Sequence, residues 1–546
     1  MKKNIIYLYT LLAFVGVSFF VTSCSDEDSV KDLKLDQVLS ATELKMEALA
    51  DISVNVSWRQ MFNADEYEII LSKDPSFSDV SQVVYTNRFF QAYKKGDYCE
   101  VNIPKLEPET DYYARVQCFN SDGTTEDSKY VYAEVTTVAE QIMSPIGKAD
   151  VTDHSVTFYW TPGEFVQEIE LINSEGEVIA SYTPSGDDIA VGKYTIDELE
   201  AHTTYTVRLV SDVGKTRGRR TFTTLLDLSN ATVVSEEDDW VSMVQNATAG
   251  SVFAFEPGDY STDQTNVKIN SDVILAAQDI TNMPTFHCEF NINNNASLYC
   301  YYLKISADEG KFKDQCFNFA STGQTGSLDV EGCEVYGFSK GLVYINTTAV
   351  VNEINITGSF IHDIPCNGGD FIDARSGGWT TLNFKDNTVV YCFIARDFLR
   401  SDKVGNTNNI ENNTFYNCGN GDAAYRLFYT RGSGTVNNFK SNIVFGFNNK
   451  RGFYNNSSWG DINVDNNVYF NCLNLTELAE DNTESLPFFD ETGLVLTTSP
   501  FKDVNSDYKD TSKDYDADKN DFRLVDPNLR LKQVGASVWY EQDIEE

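Results

Sequence analysis

The sequence predicts an all-β protein: two sandwich-like blocks followed by a long solenoid. Three observations predict it. Val, Thr, Tyr, Phe, Asn and Gly are abundant and helix-favouring runs are scarce, which suits strands joined by tight turns. Two stretches between residues 38 and 226 repeat the same order of alternating segments. From residue 227 a different motif recurs every 25–29 residues. A chain of 546 residues is long enough for several domains.

The first segment is an export signal. Lys2 and Lys3 precede the apolar run from Ile5 to Val21, which leads into Val21-Thr22-Ser23-Cys24. A basic start, an apolar stretch and small residues before a cut make a secretory signal, residues 1–23. The cysteine after the cut resembles a bacterial lipoprotein signal, which implies lipidation at Cys24. The next residues, Ser25-Asp26-Glu27-Asp28, resemble the acidic export tag of Bacteroidetes surface lipoproteins. That resemblance implies an outer-membrane, cell-surface protein anchored by its N-terminal lipid. No other apolar stretch is long enough to span a bilayer. Residues 24–37 are polar and charged and read as a tether.

Residues 38–138 and 139–226 form the two similar blocks. In the first, "ISVNVSW" ends in Trp58, "EYEIILS" alternates, and "LEPETDYYARV" follows. In the second, "HSVTFYW" ends in Trp160, "QEIELIN" alternates, and "LEAHTTYTVRL" follows. Alternation marks half-buried strands. The Trp and the Leu-x-x-x-Thr-x-Tyr pattern resemble fibronectin type III domains. The resemblance implies a Trp in each core and a corner made by Tyr112 and Tyr205.

Residues 227–546 carry the repeat. "LDVEGCEVYGF", "INITGSFIHDI", "LNFKDNTVVYC", "NIENNTFYNC", "NNFKSNIVFGF" and "INVDNNVYFNC" align on Cys333, Ser359, Asn387, Asn413, Asn442 and Asn467. Like positions in stacked coils form ladders about 4.8 Å apart. The asparagine column is expected to hydrogen-bond along the stack. Cys392, Cys418 and Cys472 share a slot with Phe338, Ile364 and Phe447, so they are read as small core hydrophobes rather than disulfide partners. The stretch "WVSMVQNATAGSVFAFEPGDYS" resembles the opening coil of a right-handed parallel β-helix, with its covering helix. The C-terminal segment is expected to cap the solenoid, since an open last coil invites edge pairing.

Chemistry is expected on the strand about ten residues after each anchor. There Val343, Ile372, Leu399, Phe428 and Phe453 turn inward. Tyr344, Asp373, Arg400, Tyr429 and Tyr454 form one outward column, and Asn346, Arg375, Asp402, Arg431 and Asn456 a second. Asp402 is expected between Arg375 and Arg431, with Arg426 nearby. Guanidiniums hold carboxylates or sulfates and aromatic faces stack on sugars, so this face suits an acidic polysaccharide. Asp373, Arg375, Arg400, Asp402, Arg426, Tyr429, Arg431 and Tyr454 are the candidate glycan-binding residues. The region also resembles polysaccharide lyases of the chondroitinase B, alginate lyase and pectate lyase type. That resemblance implies Lys403 as base and Arg431 or Arg426 as its partner in β-elimination on a uronate. A glycosidase pair among Asp370, Asp373, Asp397 and Asp402 would need a separation of about 5–9 Å.

Other chemistry finds little support. The net charge of −40 argues against nucleic acid. His154, His202, His287 and His362 lack metal-ligand spacing. No cofactor is expected; calcium has a weak candidate in Asp514, Asp516, Asp518 and Asn520, where Lys519 occupies the usual Gly position. The whole arrangement resembles lipoproteins of Bacteroidetes polysaccharide utilisation. It implies a surface protein binding a complex, acidic, pectin-like glycan, with an outer-membrane glycan transporter as a partner. The alternatives are a polysaccharide lyase and a structural or adhesive surface protein.

Overall fold

The computed structural model describes residues 36–540, apart from 91–93, 96, 262–265, 308–313, 320, 324, 346–347, 403–404, 421–424, 455–459, 481, 484 and 505–519. The expected signal segment, Cys24, Asn346, Lys403, Asn456, Asp514, Asp516, Asp518 and Lys519 lie outside the described residues. No described helix is long and apolar enough to cross a membrane. The chain divides into two compact units, Met1–Glu140 and Gln141–Glu546.

The first unit is a sandwich of two antiparallel sheets. One holds Thr42–Leu49, Ser53–Arg59, Tyr98–Ile103 and Lys94–Lys95; the other holds Val83–Phe90, Glu66–Ser72, Asp111–Phe119 and Val131–Thr136. Alternation along Ser53–Arg59 turns Val54, Val56 and Trp58 into the core. The Trp58 ring packs 5.4 Å from that of Tyr67. The Tyr112 hydroxyl accepts the Glu107 amide at 3.1 Å, making the expected corner.

The second unit opens with a sandwich of the same kind. Val178–Tyr182, Glu168–Ile172, Thr204–Val210 and Thr216–Thr223 face the pair Lys193–Ile196 and Val156–Tyr159. Trp160 is buried, and the Tyr205 hydroxyl accepts the Glu200 amide at 3.2 Å. Both blocks therefore have the fibronectin type III-like architecture. This sandwich meets the following domain through His202, whose Nε2 lies 3.2 Å from the Glu331 carboxylate.

From Thr232 the chain winds a parallel β-helix. Among the described residues, the first sheet has ten strands, from Thr232–Val234 to Gly460–Asp465. The second has nine, from Thr285–His287 to Leu494–Leu496, and the third has seven, from Asn266–Ile269 to Phe428–Thr430. Successive coils visit the first, second and third sheet in turn. The helix Trp240–Gln245 covers the opening coil, with Asp239 accepting the Ser242 amide at its N-cap. Its Trp240 ring sits 5.2 Å from Phe286.

The asparagine column stacks as expected. The Asn413 side-chain oxygen accepts the Asn387 backbone N–H at 3.0 Å and Nδ2 at 3.1 Å. Asn442 serves Asn413 and Asn467 serves Asn442 in the same way. At the end of the row, Asn467 Nδ2 donates to the buried Asp490 carboxylate at 3.1 Å. Each ladder residue follows a left-handed one: Asp386, Asn412, Ser441 and Asn466 have φ between 52° and 58°. Asn and Asp are among the side chains that tolerate this region best. A second row, not singled out in the sequence, lines the outer face of the first sheet. Asn383 Nδ2 donates to Asn355 at 2.8 Å, Asn409 to Asn383 at 2.8 Å, Asn438 to Asn409 at 2.8 Å and Asn463 to Asn438 at 3.0 Å.

Cys392, Cys418 and Cys472 belong to the same apolar cluster as Phe338, Ile364 and Phe447. Among the described residues the cysteines are thiols outside any disulfide, and burial pushes that of Cys472 up to about 12.

The C-terminal segment does more than close the end: it runs back along the second sheet. Phe501–Asp503 pairs with Asp521–Leu524, and the helix Pro527–Leu531 follows. The Gly535 amide then bonds Ser441, the Ala536 amide bonds Thr414, and Trp539 Nε1 bonds Thr388 Oγ1 at 2.7 Å. Each contact falls one coil earlier than the last. The cause is a sheet that is apolar on both faces here, as strands buried on both sides are. Val390, Tyr416, Ile443, Phe445 and Val468 form a second core with Phe501, Phe522 and Leu529.

Candidate functional site

The outer face of the third sheet carries the candidate residues. Its register aligns Asn291, Asn318, Tyr344, Asp373, Arg400 and Tyr429 in one column. Alternation sends Val343, Ile372, Leu399 and Phe428 into the core beneath them. Tyr454 lies beyond the named strands of this sheet.

The ion pairs differ from expectation in one respect. Asp402 binds Arg431 through Nε at 2.8 Å and through Nη2, and it accepts Arg400 Nη2 at 3.0 Å. Arg375 does not reach Asp402. It folds back over Asp373 on its own strand, at 2.9–3.1 Å. The strand Ile372–Ala374 is only three residues long, so Arg375 already lies in the turn and is free to curl back. Asp373 faces outward by register, yet is 1% exposed under that guanidinium. Arg426 Nε donates to Asp397 at 2.9 Å, and the Arg426 amide donates to the same oxygen at 2.9 Å.

Asp370, one coil before Asp397, was not among the binding candidates and is the most perturbed group of the cluster. Its Oδ1 accepts the Asp397 amide at 3.2 Å. Its Oδ2 is buried with no hydrogen bond, 3.7 Å from Arg400 Nη1 and 3.8 Å from Arg375 Nη2. Burial, then the charges of Asp397 and Asp373, push its carboxyl up to about 7. Burial also raises that of Asp397, although Arg426 opposes it. Burial acts against the Asp402 charge too, but Arg431 and Arg400 outweigh it and hold that carboxyl below the usual range. The hydrogen bonds that Arg431 donates to Asp402 keep its guanidinium firmly protonated. Arg431 therefore suits charge neutralisation rather than proton abstraction. Asp370, Asp373 and Asp397 all lie beneath the guanidiniums, so they do not form an open carboxylate pair.

The tyrosines also differ from expectation. Guanidiniums of Arg426, Arg431 and Arg400 lie 3.9, 4.9 and 5.3 Å from the Tyr429 ring centre. Arg426 and Arg451 lie 5.4 and 5.5 Å from that of Tyr454. These rings hold cations and are not open platforms for a sugar. The reason is local: Arg426 and Arg431 flank Tyr429 in the chain, and Arg400 is its neighbour on the preceding strand. The four carboxylates Asp370, Asp373, Asp397 and Asp402 meet Arg375, Arg400, Arg426 and Arg431, and Arg451 adds a further guanidinium beside Tyr454. A chain of net charge −40 thus gathers cations on one face.

Toward the N-terminal coils the same face deepens into a groove of about 430 Å³. Asn291, Gln315, Asn318, Lys340 and Tyr344 line it, together with Glu289 and Asp314. Sequence reasoning missed it because the coils before Cys333 carry no anchor to set their register. Among the described residues, one group of side chains comes close enough to share a cation: Asp153, His154 and Asp227, partly exposed in the second sandwich and the segment that follows it. It is not part of this face.

Residues 258–392 match a family model described as Domain of unknown function (DUF4957). No curated protein matches the chain. Among solved structures, a two-domain fibronectin type III segment of chicken tenascin is 15% identical, covering 34% of this chain and 99% of that one, with a TM-score of 0.22. The central fibronectin III array of RIM-binding protein is 16% identical, covering 35% and 64%, with a TM-score of 0.14. The chicken CNTN1 FN1–FN3 domains are 12% identical, covering 34% and 68%, with a TM-score of 0.16.

Proposed function

We propose that the protein is a lipid-anchored surface protein that binds an acidic polysaccharide on the third-sheet face of its β-helix. Sandwich domains followed by a β-helix suit a surface or adhesive role. The observation that carries the finer reading is the arginine cluster on an otherwise strongly acidic chain. Guanidiniums bind carboxylate or sulfate in paired hydrogen bonds. The Arg400–Asp402–Arg431 group is held rigid by its own ion pairs, which lowers the ordering cost of binding. The signal segment supports export and anchoring at the outer membrane, and a glycan transporter there is the natural partner.

Affinity electrophoresis on polygalacturonate, alginate and glycosaminoglycans tests the reading. Retardation by at least one acidic polymer is expected, falling steeply as salt rises from low to physiological strength. Arg400→Ala and Arg431→Ala should each weaken it about tenfold or more, since charge-assisted hydrogen bonds contribute roughly 1.5–3 kcal/mol. Unchanged retardation in both variants would remove the patch as the site. An absorbance rise from an unsaturated uronate would move the reading to a lyase using Lys403. Loss of surface labelling in Cys24→Ala cells tests the anchor.

A further inference from the structure

The two ends of the third-sheet face differ in chemistry. At the C-terminal coils, guanidiniums are in surplus and the Tyr429 and Tyr454 rings are occupied. In the groove, charges cancel in pairs: Lys340 meets Asp314, and Arg375 meets Asp373. The remaining carboxyl, Glu289, is buried and accepts the Asp314 amide at 3.2 Å. Burial pushes it up to about 7, so it carries little charge in mildly acidic solution.

Uncharged polar groups dominate the rest. The side-chain amides of Asn291 and Gln315 make no hydrogen bond among the described residues. Asn318 gives one N–H to the Gln315 carbonyl at 2.9 Å and leaves its oxygen open. Tyr344 is half-buried and, unlike Tyr429, has no ring or cation stacked on it among the described residues. An open aromatic face beside unpaired amides is the arrangement that holds a neutral pyranose. The ring covers its C–H face, and amides take its hydroxyls.

Resting on the glycan reading above, we propose that the groove is a neutral-sugar subsite continuous with the arginine patch. The polymer it takes therefore carries uncharged sugars beside acidic ones. Tyr344 and Arg400 stand two coils apart in the same column, roughly 10 Å. A glycan chain running along the column passes both residues.

The test compares two probes of matched length: polygalacturonate, in which every unit is acidic, and a rhamnogalacturonan backbone, in which uronate and neutral sugar alternate. The wild type should hold the alternating polymer about tenfold more tightly, the scale of one aromatic platform. Tyr344→Ala and Asn291→Ala should abolish that preference while leaving polygalacturonate binding intact. Tyr344→Phe should keep it, which separates a lost platform from a damaged fold. Equal affinity of the wild type for both polymers, or a preference that survives Tyr344→Ala and Asn291→Ala, overturns the subsite alone. Failure of the wild type to hold either polymer overturns the acidic-glycan reading and the subsite together.

Discussion

Asp370 shows how a single side chain can record the electrostatics of its surroundings. Its folded carboxyl lies near 7, against an ordinary value of 3.8. A raised value means that the folded state holds the proton more tightly than the unfolded chain. The resulting stability is complete below about 4 and is lost as the pH rises through about 7. That difference is worth up to about 4 kcal/mol. Asp370→Asn stays neutral at every pH. Its Tm relative to wild type should therefore climb between pH 5 and pH 8, as followed by thermal melts. A difference that stays flat across that range would mean Asp370 is already ionised at pH 5. The sequence shows the Asp-Phe-Ile-Asp-Ala-Arg string but not this effect. The burial comes from Arg375 and Arg400 closing over the carboxylate, and no spacing rule reports that.

Individual turns decide how well the coils stack. Asn413 satisfies the Asn387 amide and donates to Phe384, Glu411 and Asn442 from a fully buried position. Asn413→Ala leaves buried polar groups unpaired and should cost about 3 kcal/mol in denaturant unfolding. Asn409→Ala, in the half-buried outer row where water can replace the amide, should cost under about 1 kcal/mol. Equal costs would show that the inner row has no special role. The inner row was legible because one residue type recurs at the coil interval. The outer row sits four residues before each anchor, at Asn355, Asn383, Asn409, Asn438 and Asn463, and was equally in register. Nothing else in the sequence marks it, because an outward Asn in an alternating strand looks like ordinary surface. The groove lay beyond reach for another reason: Glu289–Ile292 and Gln315–Phe319 precede the first anchored repeat.

For the molecule as a whole, the returning C-terminal segment binds several coils at once. A solenoid holds mainly through neighbouring coils, so a strap across its flank couples coils that do not touch. Removing residues 520–546 would bare the apolar outer face of the second sheet and discard the buried Phe522, Leu524 and Leu529. Each such side chain contributes about 1.5–3 kcal/mol. The shortened protein should melt well below the full chain and self-associate on size exclusion. A monomer with unchanged Tm would show that the strap is dispensable. The order of sandwiches before solenoid and the repeat length were readable from the sequence, but the path of this segment was not. Its contacts on Thr388, Thr414 and Ser441 are long-range and leave no periodic trace.

The two asparagine rows have a direction as well as a place. In the outer row every amide gives its N–H to the preceding coil, and Asn355 ends it on the Asp329 carboxylate. In the inner row every amide gives one N–H to the asparagine of the following coil and the other to a backbone carbonyl of the preceding coil, and Asn467 ends the row on Asp490. Aligned dipoles add along a row, and each row meets a negative charge at its positive end. Because the rows point opposite ways, they resemble two bar magnets stored head to tail. Their far fields oppose one another, and each added coil extends both by one step. A rod in which every parallel strand points the same way can therefore grow in length without accumulating a net amide polarity from these rows.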